Sequence, residues 1–177
     1  MGQSKLYGGN GGNHTFRIEI AANERITGLF VYSDVFLKGI GLMVKNQNWA
    51  SWSQEFRVIE KKSVGRGGVI DVPQGKQESI SVDRSRKRFI KGAEFYLGAH
   101  WFNKVIDRIK FEIISEEDDN VNNPNRQKNW TKYYGTSPGV EKGEYFAPDG
   151  EEICGFYGKW GLKVDSLGFL TRPIPKF

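Results

Sequence analysis

Residues 153–170 read Ile-Cys-Gly-Phe-Tyr-Gly-Lys-Trp-Gly-Leu-Lys-Val-Asp-Ser-Leu-Gly-Phe-Leu and contain the pattern that decides the fold. Two apolar segments, 153–157 and 167–171, flank a short turn that includes Gly161 and Asp165. Apolar and aromatic residues of this kind favour strands, and glycine with aspartate marks the turn between them. The stretch therefore predicts a β-hairpin.

The same two-strand pattern occurs at two earlier places in the chain. Each begins with Ile-x-Gly and apolar or aromatic residues, at Ile26-Thr-Gly-Leu-Phe-Val-Tyr and at Ile90-Lys-Gly-Ala-Glu-Phe-Tyr. A second apolar strand follows, at Ile40-Gly-Leu-Met-Val and at Ile106-Asp-Arg-Ile-Lys-Phe. Because a repeated supersecondary unit indicates a symmetric architecture, we expect three related hairpins.

The rest of the chain also favours strands. Apolar residues alternate with period two, as at Phe16, Ile18 and Ile20, and no segment keeps the spacing of an amphipathic helix. The 177 residues suit one all-β domain, 1–177. The predicted strands are 26–32, 36–44, 56–59, 79–82, 90–97, 106–114, 132–134, 145–146, 153–157 and 167–171.

Residues 115–128 interrupt this pattern with acidic, Asn, Pro and Arg residues, which is typical of a solvated loop insertion. The four acids from Glu116 to Asp119 offer hard oxygen ligands for calcium, but consecutive acids cannot all face one ion. No metal-loop spacing follows them. We therefore expect an insertion without a metal site.

Charge and cysteine content narrow the function classes. The net charge of +5 and the pI near 9.2 suit an anionic partner without specifying one. The single cysteine, Cys154, excludes an internal disulfide, and its place on a predicted strand favours a buried, inert thiol. With two histidines and no Gly-x-Ser-x-Gly elbow, the sequence indicates neither an enzyme nor a cofactor.

The sequence shows no pattern of a targeting signal. The first residues carry no apolar run after a basic segment, and no stretch is long enough to span a bilayer. We therefore expect either a cytoplasmic protein or a domain excised from a larger exported one.

Two glycine-bearing segments are candidate ligand loops. Gly8-Gly-Asn-Gly-Gly12 precedes the first long strand, where glycines leave backbone N–H groups unshielded, although a plain linker has the same composition. Gly161-Leu-Lys-Val-Asp165 lies in the turn of the third hairpin, although an ordinary turn would also explain it. The same Gly-x-x-x-Asp spacing recurs at 67–71, so neither segment identifies a site alone.

Taken together, the glycine loop, the three Ile-x-Gly hairpins and Gly-Phe-Tyr-Gly-x-x-Gly-x-x-x-Asp-x-x-Gly-Phe at 155–169 resemble the jacalin-related lectins. The resemblance covers nearly the whole chain. It implies a β-prism of three four-stranded Greek-key sheets with pseudo-threefold symmetry. It also implies that the first and last strands share a sheet, which would place the two loops side by side.

By motif position, the resemblance implies a carbohydrate site for mono- or oligosaccharides of glycoconjugates. Gly12, Leu162 and Lys163 would donate backbone N–H groups, Gly161 would keep the approach open, and Asp165 would accept from two sugar hydroxyls. Galactose-preferring members have a processed chain start at the glycine loop and aromatic residues in the Gly-x-x-x-Asp stretch. This chain has neither, so the resemblance implies mannose- or glucose-type glycans.

Three aromatic side chains flank this predicted site. Trp160 is either a stacking platform for a sugar or a core residue, and His100 and Trp101 lie in the turn of the second hairpin. So few contacts imply a dissociation constant on the order of millimolar. Avidity would then need several sites, as in a homo-oligomer.

Other functions remain open at this point. The basic run, with Arg84, Arg86, Lys87 and Arg88, is either a solvated turn or a patch for anionic polysaccharide. The prism could also serve as a protein-interaction or targeting module of a larger toxin or adhesin. Nucleic acid is disfavoured because the chain shows no recognised nucleic-acid-binding fold.

Overall fold

A computed structural model describes residues 2–46, 54–58, 61–62, 70–71, 75–82, 88–100, 103–119 and 129–175. Within these ranges one 3₁₀ turn, Glu116–Asp118, accompanies fourteen strands. None of the described residues forms a helix long and apolar enough to cross a membrane. The strands are β1 Gly2–Gln3, β2 Tyr7–Gly8, β3 His14–Glu19, β4 Glu24–Ser33, β5 Leu37–Asn46, β6 Gln54–Val58, β7 Lys61–Lys62, β8 Ile70–Asp71, β9 Lys76–Ser81, β10 Arg88–His100, β11 Asn103–Ser115, β12 Glu141–Phe146, β13 Glu151–Trp160 and β14 Val164–Pro173.

Three antiparallel sheets form the prism, each built on one of the long hairpins. Sheet 1 has the order β6-β5-β4-β9, and sheet 2 has the order β11-β10-β12. Sheet 3 has the order β1-β14-β13-β3, with β2 also paired to β14. The expected all-β prism is confirmed, and strands from the two ends of the chain do share sheet 3.

The repeated Ile-x-Gly motif marks the same β-bulge in all three hairpins. The pairing register shifts between Ile26 and Gly28, between Ile90 and Gly92, and between Ile153 and Gly155. The extra residue is the variable one, and its carbonyl accepts a hydrogen bond from the chain just beyond the neighbouring strand. These bonds are Val82 N to Thr27 O at 3.0 Å, Ala147 N to Lys91 O at 2.9 Å and Ile20 N to Cys154 O at 3.1 Å.

The glycine of the motif has a packing reason in two of the hairpins. A Cβ on Gly92 would overlap the ring of Phe146, and one on Gly155 would overlap the carbonyl oxygen of Ile18. Close approach of a neighbouring strand or side chain is a recognised role of glycine within a strand. The sequence repeat therefore encodes a bulge and a close contact, and this explains why it recurs at a fixed place in each hairpin.

Apolar side chains from all three sheets meet in one core along the prism axis. Four phenylalanines, from sheets 2 and 3, are fully buried there and contact one another edge-on or stacked. They are Phe95, Phe111, Phe156 and Phe169. Cys154 is also buried, and burial raises the pKa of its thiol to about 11, so the thiol stays protonated at neutral pH.

One predicted strand, 132–134, is wrong. Residues 130–134 form only two isolated bridges to β11, Trp130 with Glu112 and Tyr134 with Ile109. The two bridged positions are four residues apart on this segment but only three residues apart on β11. The pairing register therefore differs between the two bridges, and a continuous ladder cannot form. Over the residues that the structure describes, sheet 2 therefore has three continuous strands rather than the four that the resemblance implied.

The start of the 115–128 segment is not fully solvated. The Asp119 side chain is 5% exposed and its Oδ1 lies 2.5 Å from Nζ of Lys91, which is itself fully buried. The Asp119 carboxylate also accepts from the backbone N–H of Gly150 at 2.8 Å, and Lys91 donates to the Pro148 carbonyl at 2.8 Å. The segment is thus tied to the turn between β12 and β13, while residues 120–128 lie outside the described chain.

Candidate functional site

The Gly8–Gly12 loop lies directly against the turn of the third hairpin. The backbone N–H of Gly9 donates to the Asp165 carbonyl at 3.0 Å. Gly8 has a φ of +119°, and a Cβ there would overlap the same carbonyl. Only glycine combines this backbone conformation with so close an approach. The loop is therefore a fitted part of sheet 3 rather than a free linker.

Gly12, Gly161 and Asp165 converge at one point. A Cβ on Gly12, whose φ is +88°, would lie 2.9 Å from Oδ2 of Asp165 and 3.0 Å from the backbone N of Trp160. A Cβ on Gly161 would lie 3.7 Å from both Asp165 Oδ2 and the Cα of Gly12. Two glycines thus leave open the space in front of one carboxylate.

The carboxylate of Asp165 is available as an acceptor. It is half-buried, and it accepts no hydrogen bond from the described part of the chain. Burial raises its pKa above the ordinary value of 3.8, and the nearby Lys163 ammonium opposes this rise. A partly desolvated carboxylate without partners gains more from a ligand's hydroxyl donors than one that is already paired.

The turn supplies donors beside this acceptor. Gly161 N–H donates within the turn, to the Lys163 carbonyl at 2.9 Å. Among the described residues, the backbone N–H groups of Leu162 and Lys163 have no such partner. The Leu162 side chain is 73% exposed. Two open amides and one open carboxylate therefore sit within a single five-residue stretch.

The Lys163 side chain reaches the turn of the first hairpin. Its Nζ lies 3.6 Å from the ring centroid of Phe36, in a cation–π contact. Burial lowers the pKa of Lys163, and the nearby Lys38 lowers it further. The ammonium is therefore engaged by Phe36, and the backbone N–H is the group of Lys163 that stays open in the described chain.

Trp160 belongs to the buried core. Its side chain is 4% exposed, and its ring stacks on His14 with centroids 4.4 Å apart. Its indole Nε1 is buried and has no hydrogen-bond partner within the described part of the chain. This burial favours the core alternative over the stacking platform.

The other flanking candidates fall largely outside the described residues. β10 ends at His100, whose side chain is not described, and Trp101 lies beyond it. Of the basic run, Arg84, Arg86 and Lys87 also lie outside the described chain. Arg88 is on β10 and donates to the Ile113 carbonyl at 3.1 Å.

The described residues also bear on metal binding at this site. No cluster of three or more His, Cys, Asp or Glu side chains suited to a metal ion occurs among the described residues. The chemistry that the site offers is hydrogen bonding, with one acidic acceptor and several backbone donors around an open space.

Comparisons with known proteins bear on the fold. No family model and no curated protein matches the sequence. Three antiparallel sheets about one core define a β-prism. Among solved structures, the chain has the fold of the jacalin-related lectins.

Three of these structures illustrate the likeness. Malaysian banana lectin matches with a TM-score of 0.67 and 15% identity, over 97% of each chain. AcmJRL, described as a mannose-binding jacalin-related lectin from Ananas comosus, matches with a TM-score of 0.61 and 17% identity, over 97% of this chain and 96% of that one. Artocarpin complexed with methyl-α-mannose matches with a TM-score of 0.63 and 15% identity, over 96% and 95%.

Proposed function

We propose that the chain is a carbohydrate-binding domain that holds a mannose- or glucose-type sugar between the Gly8–Gly12 loop and the 161–165 turn. The observation that carries the proposal is the convergence of Gly12, Gly161 and the unpaired Asp165 carboxylate. A sugar with two adjacent hydroxyls can donate to both carboxylate oxygens and accept from nearby amides. The fold that the chain shares with AcmJRL and artocarpin supports the same proposal of sugar binding.

The geometry supports a separate role for each residue in this proposal. Asp165 supplies the side-chain contact, while Gly12, Leu162 and Lys163 contribute their backbone N–H groups. Gly161 leaves the approach open because it lacks a Cβ. The proposed contacts are few, so we expect a dissociation constant on the order of millimolar for a monosaccharide.

Glycan-array binding followed by titration with methyl α-mannoside tests the proposal. Asp165→Asn keeps the side-chain shape but removes the charge and one acceptor, so affinity should fall by roughly tenfold or more. Asp149→Asn is the matched control, because Asp149 is an exposed aspartate in the turn between β12 and β13. Its affinity should equal that of wild type.

The outcomes separate the competing functions. Equal binding by wild type and Asp165→Asn would reject this site. Binding confined to sulfated glycans would favour an anionic-polysaccharide patch. No binding across the array, together with partner proteins that are captured equally well in excess free mannose, would favour a protein-interaction module.

A further inference from the structure

The Gly8–Gly12 loop contains a chemically labile pair, Asn10 followed by Gly11. It is the one Asn-Gly sequence in the chain. Asparagine loses its side-chain amide when the backbone nitrogen of the next residue attacks it, and a glycine there has no side chain to hinder the attack. Every other asparagine of the chain precedes a residue with a side chain. The sequence therefore makes Asn10 the asparagine most prone to deamidation.

The pair is open to this attack in the folded protein. Asn10 is exposed and Gly11 is partly exposed, and both lie between β2 and β3. The Asn10 side-chain amide and the Gly11 backbone N–H lack a hydrogen-bond partner within the described part of the chain. The attacking nitrogen and the amide that it attacks are therefore both accessible.

A second labile pair differs from the first at the attacking nitrogen. Asp149 and Gly150 form the one Asp-Gly sequence of the chain, and they are also exposed, in the turn between β12 and β13. Here the Gly150 N–H donates to Oδ2 of Asp119 at 2.8 Å. Attack by this nitrogen must first break a charge-assisted hydrogen bond. The turn therefore offers an internal comparison for the loop.

The loop is fixed on both sides of Asn10 and Gly11. Before the pair, the Gly9 N–H donates to the Asp165 carbonyl at 3.0 Å, and a Cβ on Gly9 would overlap the backbone of Lys104. After it, a Cβ on Gly12 would lie 2.9 Å from Oδ2 of Asp165. Since two residues join these fixed points, a longer backbone between them must displace Gly9 or Gly12.

We propose that Asn10 is a site of spontaneous deamidation that switches off the sugar site. The Gly11 nitrogen loses its proton and bonds to the side-chain carbonyl carbon of Asn10, and the amide nitrogen leaves as ammonia. Water then opens the cyclic succinimide at either of its two carbonyls. One opening gives aspartate. The other gives isoaspartate, whose backbone runs through the former side chain and is one carbon longer.

The two products should act differently on sugar binding. Isoaspartate lengthens the backbone between the two fixed points, so it moves the Gly12 N–H away from the Asp165 carboxylate. Aspartate keeps the backbone path and adds only an exposed charge, to which a neutral sugar is indifferent. The loss of binding rests on the proposed function of the Asp165 site, whereas the deamidation does not.

Peptide mass spectrometry of the full chain, aged at mildly alkaline pH, tests the chemistry. Wild type should accumulate aspartate and isoaspartate at position 10 faster than at any other asparagine. Asn10→Gln should stay intact there, because the longer side chain closes its ring far more slowly. Asp149→Asn is the matched control, since it creates a second Asn-Gly pair whose glycine nitrogen is hydrogen-bonded. That pair should react at least about tenfold more slowly than Asn10.

Backbone-amide NMR of a partly deamidated sample, titrated with methyl α-mannoside, tests the consequence. The unmodified and isoaspartate forms are different covalent species and give separate signals. The Gly12 and Leu162 signals of the unmodified form should shift with the affinity of fresh protein, and those of the isoaspartate form should not shift. Asn10→Asp copies the aspartate product and should bind like wild type, and aged Asn10→Gln should bind like the fresh variant.

The outcomes separate the modification from the proposed function. Deamidation of Asn10 no faster than that of the pair created by Asp149→Asn would overturn the labile site. Isoaspartate signals that shift with the wild-type affinity would overturn the switch. Signals that do not shift in either form would reject the Asp165 site and with it the loss of binding, while mass spectrometry still decides the modification.

Discussion

Gly12 and Asp165 lie next to each other although nearly the whole chain separates them in sequence. A Cβ on Gly12 would lie 2.9 Å from Oδ2 of Asp165. Gly12 also has a φ of +88°, which costs roughly 1–2 kcal/mol for a residue with a Cβ. Any side chain at Gly12 would therefore both strain the backbone and fill the space in front of the carboxylate.

We predict that Gly12→Ala abolishes measurable sugar binding and lowers the free energy of unfolding. Gly150→Ala separates the two effects, because Gly150 has a φ of +77° but nothing within 4 Å of a Cβ. It should lose a similar stability while it keeps full affinity. Thermal unfolding and sugar titration of both variants measure this, and normal binding by Gly12→Ala would contradict the proposed site.

A second prediction concerns the backbone donors of the turn. Leu162→Ala should bind sugar like wild type, because the exposed side chain has no assigned role. Leu162→Pro removes the N–H group and should weaken binding by about tenfold, the equivalent of one hydrogen bond of roughly 1.4 kcal/mol. Titration of the two variants compares them directly. Loss of affinity in the alanine variant instead would show that the Leu162 side chain itself contacts the ligand.

These backbone roles show where sequence reasoning succeeds and where it stops. The three hairpins were predictable because Ile-x-Gly recurs with its second strand. The meeting of Gly12 with Asp165 follows instead from the pairing of β13 with β3 and of β14 with β2, which local patterns do not contain. The family resemblance supplied that placement.

Burial was the other property that local sequence left undecided. Trp160 could be core or platform until its packing on His14 was known. Lys91 reads as an exposed strand residue, yet the bulge turns it inward, where Asp119 is its counterion.

A third prediction concerns pH. Burial raises the pKa of Asp165 above 3.8, so its charge is lost at a higher pH than that of an ordinary aspartate. Sugar binding needs the charged acceptor, so affinity should be constant near neutrality and should fall as the pH drops through this raised pKa. The affinity of Asp165→Asn, where measurable, should not follow this profile, and an identical acid loss in that variant would assign the effect to another group.

The same shift sets the sign of a stability effect. Because the folded-state pKa is above the unfolded one, the contribution of Asp165 to stability is present below the unfolded pKa and is lost as the pH rises through the folded value. Asp165→Asn should therefore be at least as stable as wild type at neutral pH. Denaturant unfolding at acidic and neutral pH measures the difference between the two proteins.

The fourth prediction concerns the buried ion pair of Lys91 and Asp119. Asp119→Asn leaves a buried ammonium without its counterion, and such losses typically cost about 3–5 kcal/mol. The Pro148 carbonyl, which accepts from Lys91, offsets only part of this cost. We therefore expect a large fall in the free energy of unfolding, measured by denaturant titration.

Glu141→Gln is the matched control for that loss. Glu141 pairs with Lys104 at 2.7 Å, but both side chains are more than half exposed, and such pairs contribute less than about 1 kcal/mol. A small effect there beside a large one in Asp119→Asn would show that burial, and not pairing alone, makes the Lys91 contact important. In Lys91→Met with Asp119→Leu, two apolar side chains replace the pair, and much of the lost stability should return. Equal losses in Asp119→Asn and Glu141→Gln would mean that Asp119 does not anchor the segment that follows β11.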